Sequence, residues 1–309
     1  MSASSDLAEQ TPGHADYSGQ DLRGQDFCGK SLRGANFADA DLTGALFYEA
    51  DLTDAEFTGA RLDQANFESA NATRACFGNA SMVDARFFGA DLTRATLSGA
   101  DLTRADLRDA TLCDVRMVQC TLDGADLERA DLTRASARGS SCNNAIFNRT
   151  KLDGARLREL RGADTAQWIE CEITKVDFTG AYLLRRQILD QNYIHEFRNR
   201  SRAHAIIYWI WWFTSDCGRS LGRWGACTAS VAIAFGIAYQ FVAVDFGSSP
   251  TVLSPFYFSF VTITTLGYGD VLPTSTSAQV LVMLEVALGY MMLGGMLSIF
   301  SDKMARRAG

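Results

Sequence analysis

Large apolar residues recur every five positions from Tyr17 through Leu22, Phe27, Leu32, Phe37 and Leu42, and keep that step to Leu157. Only Ala72, Ala137 and Cys142 interrupt the series. A small residue stands two positions before most of the large ones, and from Ala35 to Ala110 it is always alanine. A period of five fits neither the 3.6 of a helix nor the 2 of a strand, so neither element can hold these residues on one buried face. A chain that turns a corner every five residues can. Four units then close a square coil of twenty residues with the large and small side chains inside. Successive coils stack through backbone hydrogen bonds about 4.8 Å apart.

Units such as ADLTG at 40–44 and ADLTR at 90–94 resemble the pentapeptide-repeat family, which implies a right-handed quadrilateral β-helix over residues 15–183. After Leu157 the phase slips by one residue near Leu160-Arg161-Gly162, then resumes at Trp168, Ile173, Phe178 and Leu183. A bulge or short loop followed by one last coil is expected there. About eight coils make a rod on the order of 38 Å long at the strand spacing. Residues 1–14 are expected to be disordered. They hold neither a basic nor an apolar signal region, which predicts a cytoplasmic repeat domain.

The overall composition, 47% hydrophobic and 21% charged with a net charge of -7, conceals an asymmetry. No Lys or Arg occurs between Gly225 and Ser301, which is abnormal for a soluble domain. On the repeats the outward charges mix signs: Arg74, Arg94, Asp114 and Arg134 share one side at a period of twenty. That pattern disfavours a DNA mimic, which needs a uniformly acidic face, and favours a solvated scaffold with no nucleic-acid partner. The eight cysteines contain no CxxC pair and the three histidines are scattered. Neither a metal or disulfide framework nor an enzyme is expected, and no cofactor.

Two segments have the length and apolarity of membrane spans, 225–244 and 278–300, each near the 30 Å of a bilayer's hydrocarbon core. Thr276 and Gln279 stand at capping-box spacing before the second. Arg219 and Arg223 precede the first span, and Lys303, Arg306 and Arg307 follow the second. The positive-inside rule therefore places both termini in the cytoplasm of a multi-pass cell-membrane protein. Residues 184–220 read as an amphipathic, interfacial linker helix: Leu184 to Phe213 lacks Gly and Pro and reads as helix, starts basic, and ends in the aromatic cluster Tyr208, Trp209, Trp211 and Trp212. Such a cluster suits the lipid headgroup level.

The pore domain, 221–309, holds SPFYFSFVTITTLGYGD between its spans. Ser254 is a helix N-cap candidate and Pro255 suits a first turn. The apolar run at about 255–264 is too short to cross a bilayer, so it predicts a re-entrant helix. Residues 265–269 must then return without helical structure, and bare backbone at that depth is tolerated only against protein, water or ions. TTLGYGD resembles the selectivity filter of potassium channels, and span, short helix, loop and span resemble their two-span class.

That resemblance implies a homotetrameric, potassium-selective channel in which Thr265, Leu266, Gly267 and Tyr268 coordinate the ion. Gly269 and Asp270 close the outer mouth, Thr264 supports the filter, and the Tyr268 ring packs on Tyr257 or Phe258. Leu266 replaces the commoner valine, and Val261 stands where some two-span channels have a glutamate. Glu285 in the second span either backs the filter or is a protonated or locally hydrogen-bonded acid without a role in conduction. Gly289 either forms the gating hinge or, like Gly294 and Gly295, permits close helix packing. The alternatives are a less selective cation channel and a membrane-anchored scaffold or topoisomerase-binding protein. No ligand or protein partner of the repeats is indicated.

Overall fold

The computed structural model describes residues 15–218, 220–247, 250–264 and 271–308. The expected disordered segment 1–14 lies outside them. The chain divides into two compact units, Met1–Glu196 and Phe197–Gly309.

In the first unit every pentapeptide closes with a β-turn. Gln20 N donates to Tyr17 O at 3.2 Å, and Gly19 between them has a positive φ of 65°. Three amides per unit then bond to adjacent coils, as when Asn36 N reaches Ala15 O at 2.9 Å, Phe37 N reaches Glu56 O at 2.7 Å and Asp39 N reaches Thr58 O at 2.9 Å. Residues twenty apart pair in parallel from Asp16↔Asn36 to Ser141↔Arg161. The acidic residue that often precedes the large apolar one bonds within its own unit. Asp41 Oδ1 accepts from the amide and hydroxyl of Thr43, occupying a turn N–H that the ladder leaves free.

The interior is built from the five-residue pattern. Phenylalanines alternate with leucines, so each fills opposite walls of the square coil, and Phe37, Phe57 and Phe77 stack at 4.9 and 4.8 Å. Outside, arginines pair with carboxylates one coil below: Arg74 with Asp54, Arg104 with Asp84 and Arg134 with Asp114. The expected mixed-sign surface is therefore an internally paired one.

The phase slip lies where the repeat pattern placed it. Pairing at a spacing of twenty ends at Ser141↔Arg161 and resumes at twenty-one with Ile146↔Gln167, Lys151↔Glu172 and Arg156↔Asp177. Gly162, at φ 72°, makes the bend; a Cβ there would come within 2.9 Å of Asn143 N.

The last coil is covered by α1, Tyr182–Asn199. Leu184 and Ile188 are buried against the core. Amide side chains satisfy the backbone edge: Gln187 Nε2 donates to Ala163 O, and Asn192 Nδ2 to Trp168 O, while Gln191 Oε1 accepts from Trp168 N and Asn192 Oδ1 from Glu170 N. An exposed strand edge is thereby blunted. The single linker helix expected from Leu184 to Phe213 is instead two. Ser201 ends the continuity because its Oγ accepts from His204 N and caps α2, Arg202–Ser215.

Folding holds several repeat carboxylates well below their ordinary range. The Thr179 hydroxyl and amide, then the Arg158 guanidinium, bring Asp177 down to about 2, and Arg23 does the same for Asp21. With folded values depressed, the stability these groups contribute is complete above the ordinary 3.8 and is lost as pH falls toward about 2. Melting of the full chain is expected to be flat above that window and to fall within it, with a shallower slope for Asp177→Asn. A melting temperature that does not change across the window contradicts this.

The second unit begins with α2 and continues through α3, Leu221–Ala238, whose end tightens into a 3₁₀ turn at Tyr239–Phe241. Strand β1, Val244–Asp245, pairs antiparallel with β2, Leu272–Pro273, around α4, Ser254–Ile263. Helix α5 runs from Thr276 to Ala308. Among the described residues two stretches are long and apolar enough to span, Leu221–Phe241 and Thr276–Ser301. The first starts earlier than the apolar run because Ser220 Oγ accepts from Arg223 N. The second is capped by Ser275, whose Oγ accepts from Ala278 N, rather than by Thr276. The 244–273 pairing had no signal in the sequence.

Candidate pore site

Helix α4 is ten residues long, and Leu253 rather than Ser254 is its N-cap. Ser254 lies inside the first turn, where its Oγ accepts from Thr251 N at 2.8 Å. Pro255 occupies the first turn as expected, since its missing N–H has no helical acceptor there. At the other end Thr264 closes the helix, its Oγ1 donating to Phe260 O at 2.8 Å. Thr264 is thus the last described residue before the predicted ion-binding segment. The expected roles of Thr265, Leu266, Gly267, Tyr268, Gly269 and Asp270 fall outside the described residues.

Two glycines set the fit of α4 between the spans. On α3, a Cβ at Gly236 would meet Phe256 Cα at 3.0 Å; on α5, a Cβ at Gly289 would lie 2.6 Å from Ile263 O. One contact is near the start of α4 and the other at its end, so the absence of side chains at 236 and 289 lets α3 approach the start of the short helix and α5 its end. Val261, Thr262 and Ile263 are buried while Tyr257 and Phe260 are exposed. Phe258 packs edge-on against Tyr239 at 5.0 Å and against Phe246 at 6.3 Å.

The fully buried Glu285 sits where these elements converge. Tyr239 OH donates to Glu285 Oε2 at 2.6 Å, and Ser259 Oγ of α4 is hydrogen-bonded to Oε1. Ser259 Oγ is also 2.7 Å from Ala232 O on α3. A buried intramembrane carboxyl needs such partners because burial without them is costly. Near the other end of the spans, Trp224 Nε1 donates to Met292 O at 2.8 Å, and Gly295 gives room for the Trp224 ring.

Sequence reasoning singled out Glu285, Gly289 and Thr264 but missed Ser259, Tyr239 and Gly236. Tyr239 is 46 residues and Ser259 26 residues from Glu285, separations with no periodic signature. Gly236 had one available sign, a glycine in the middle of an otherwise apolar span.

A family model described as ion channel matches residues 227–306. One for a pentapeptide repeat region matches 30–107, and one for pentapeptide repeats matches 90–129 and 125–159. Among solved structures, the chain is 30% identical to HetL, a pentapeptide-repeat protein involved in heterocyst differentiation regulation from the cyanobacterium Nostoc sp. strain PCC 7120. That match covers 53% of this chain and 74% of HetL, with a TM-score of 0.50. A pentapeptide-repeat protein of the Arabidopsis thaliana thylakoid lumen is 28% identical over 43% of this chain and 69% of its own, with a TM-score of 0.23. No curated protein matches the chain.

Proposed function

We propose, for a chain that belongs to the pentapeptide-repeat family and ends in a two-span ion-channel domain, that it conducts potassium ions selectively and passively as a homotetramer in the cell membrane. The observation that carries this reading is a helix too short to cross a bilayer, held between both spans, whose C-cap Thr264 immediately precedes TLGYGD.

A potassium ion enters such a pore only if something replaces its hydration shell. Carbonyl oxygens of Thr265, Leu266, Gly267 and Tyr268, with the Thr265 hydroxyl, do this when four copies surround one axis. Gly267 and Gly269 permit the backbone angles that turn successive carbonyls inward. The carboxyl end of α4 points its negative dipole toward the arriving cation. Gly269 and Asp270 form the outer mouth, and Tyr268 braces the ring sideways against Tyr257 or Phe258. Leu266 directs its side chain away from the ion, so it alters conductance or inactivation more than selectivity. The repeat domains lie on the cytoplasmic side with both termini, where they assemble or regulate the pore.

Reconstituted full-length protein in liposomes tests this directly. In opposing potassium and sodium gradients, the reversal potential is expected to follow the potassium gradient. A potential midway between the two identifies a less selective cation channel. No flux under varied pH, calcium and voltage leaves the second unit as an anchor for the repeats.

A further inference from the structure

Glu285 is bonded by two hydroxyls, one on the 3₁₀ turn and one on α4, and the number of hydrogens available to those hydroxyls constrains its chemical form. Tyr239, in the 3₁₀ turn that ends the first span, supplies its own hydrogen to Oε2. Ser259 on α4 has two oxygen neighbours, Glu285 Oε1 and Ala232 O. A hydroxyl carries one hydrogen, and a backbone carbonyl is only an acceptor. If Glu285 were ionised, Ser259 would face two acceptors with one hydrogen and leave one contact between two bare oxygens. If Glu285 carries a proton, every contact is filled: Glu285 donates to Ser259, Ser259 donates to Ala232 O, and Tyr239 donates to Glu285 Oε2.

We propose that Glu285 works as a neutral carboxylic acid, a positioning residue that fixes α4 between the two spans through the directed chain Glu285 to Ser259 to Ala232. The chain runs from α5 across α4 to α3, with Tyr239 holding the second oxygen. No charge has to be balanced in the bilayer interior, which removes the largest cost of a carboxyl at that depth. Ser259 is five residues before Thr264, so the anchor fixes how far the end of α4 projects toward the segment that follows. This inference deepens the pore reading and depends on it only for the conduction readout.

The proposal makes glutamine the one faithful replacement. Its amide donates an N–H to Ser259 and its carbonyl accepts from Tyr239, whereas alanine does neither. The experiment uses full-length protein in lipid bilayers and combines infrared spectroscopy, melting of the assembled protein and potassium flux. Wild type is expected to show a protonated-carboxyl stretch at neutral pH that E285Q removes. E285Q is expected to keep wild-type melting and flux. E285A and S259A are expected to lose flux by roughly tenfold or more, since each leaves a buried polar group without its partner.

If E285A fails to fold, S259A reads the same chain with the carboxyl intact. The proposal is overturned if no protonated band disappears in E285Q, or if E285Q is as impaired as E285A. It is equally overturned if S259A behaves as wild type in both melting and flux. Should wild type carry no potassium, the pore reading fails, while the infrared band and melting of the same variants still decide the state and role of Glu285.

Discussion

Gly289→Ala is expected to stop ion flux and to lower the melting temperature of the second unit, whereas Gly294→Ala leaves flux near wild type and does not lower melting. A Cβ at 289 would lie 2.6 Å from Ile263 O and 3.1 Å from Ile263 C and Cα. These are backbone atoms in the last turn of α4, so no side-chain rotation can relieve the overlap. Forcing one methyl into such a contact costs about 1–3 kcal/mol, and the relief it demands is a displacement of α4 from α5. Gly294 has nothing within 4 Å of the same hypothetical atom. There alanine gains helix propensity of about 1 kcal/mol over glycine.

The same pair of measurements separates the two readings of Gly289. If its role is a hinge in α5, alanine changes open probability while melting stays at the wild-type value. If its role is contact with Ile263, both fall together. Normal melting and normal flux in Gly289→Ala would remove the contact argument altogether.

Phe57→Ala is expected to destabilise the repeat unit by about 3–5 kcal/mol, the range for emptying a buried aromatic site. Phe57 has no exposed surface. It stacks on Phe37 at 4.9 Å and Phe77 at 4.8 Å, and meets Phe47 and Phe67 edge-on at 5.8 and 5.9 Å. The coils above and below are tied by backbone ladders on all walls, so they cannot close over the space left behind. Each lost ring pair adds a contribution of about 0.5–1.5 kcal/mol beyond area. Phe57→Leu should cost less, because Leu97 fills the same wall two coils further along. Thermal unfolding of the full chain followed by circular dichroism measures both. A Phe57→Ala effect within about 0.5 kcal/mol, typical of a surface change, would falsify the stacked-core account.

Much of the fold was legible because its causes are local. Five-residue spacing forces a corner at each unit, and alanine two positions before each large residue leaves room for it. The slip at 160–162 was visible because one added residue moves every later position, and the pairing changes from twenty to twenty-one at that place. Spans and the short helix between them were legible through length and apolarity. Their boundaries were less so: Ser220, Leu253 and Ser275 rather than the predicted residues begin the helices, since several nearby polar or turn residues compete for each cap. The linker read as one helix because Arg200 and Ser201 are not strong breakers. Only the side-chain cap on His204 N divides it.

By itself, then, the sequence determined the coil, its phase, the two spans, the short helix and the TTLGYGD segment, each a pattern within a few residues of chain. Tertiary structure alone decided what those elements do to each other within a unit. Packing brought Ser259 and Tyr239 to Glu285, put Gly236 under Phe256 and Gly289 against Ile263, and turned α1 into a cover for the last coil. Such partners are set by how helices cross, and a crossing point has no period for the sequence to display.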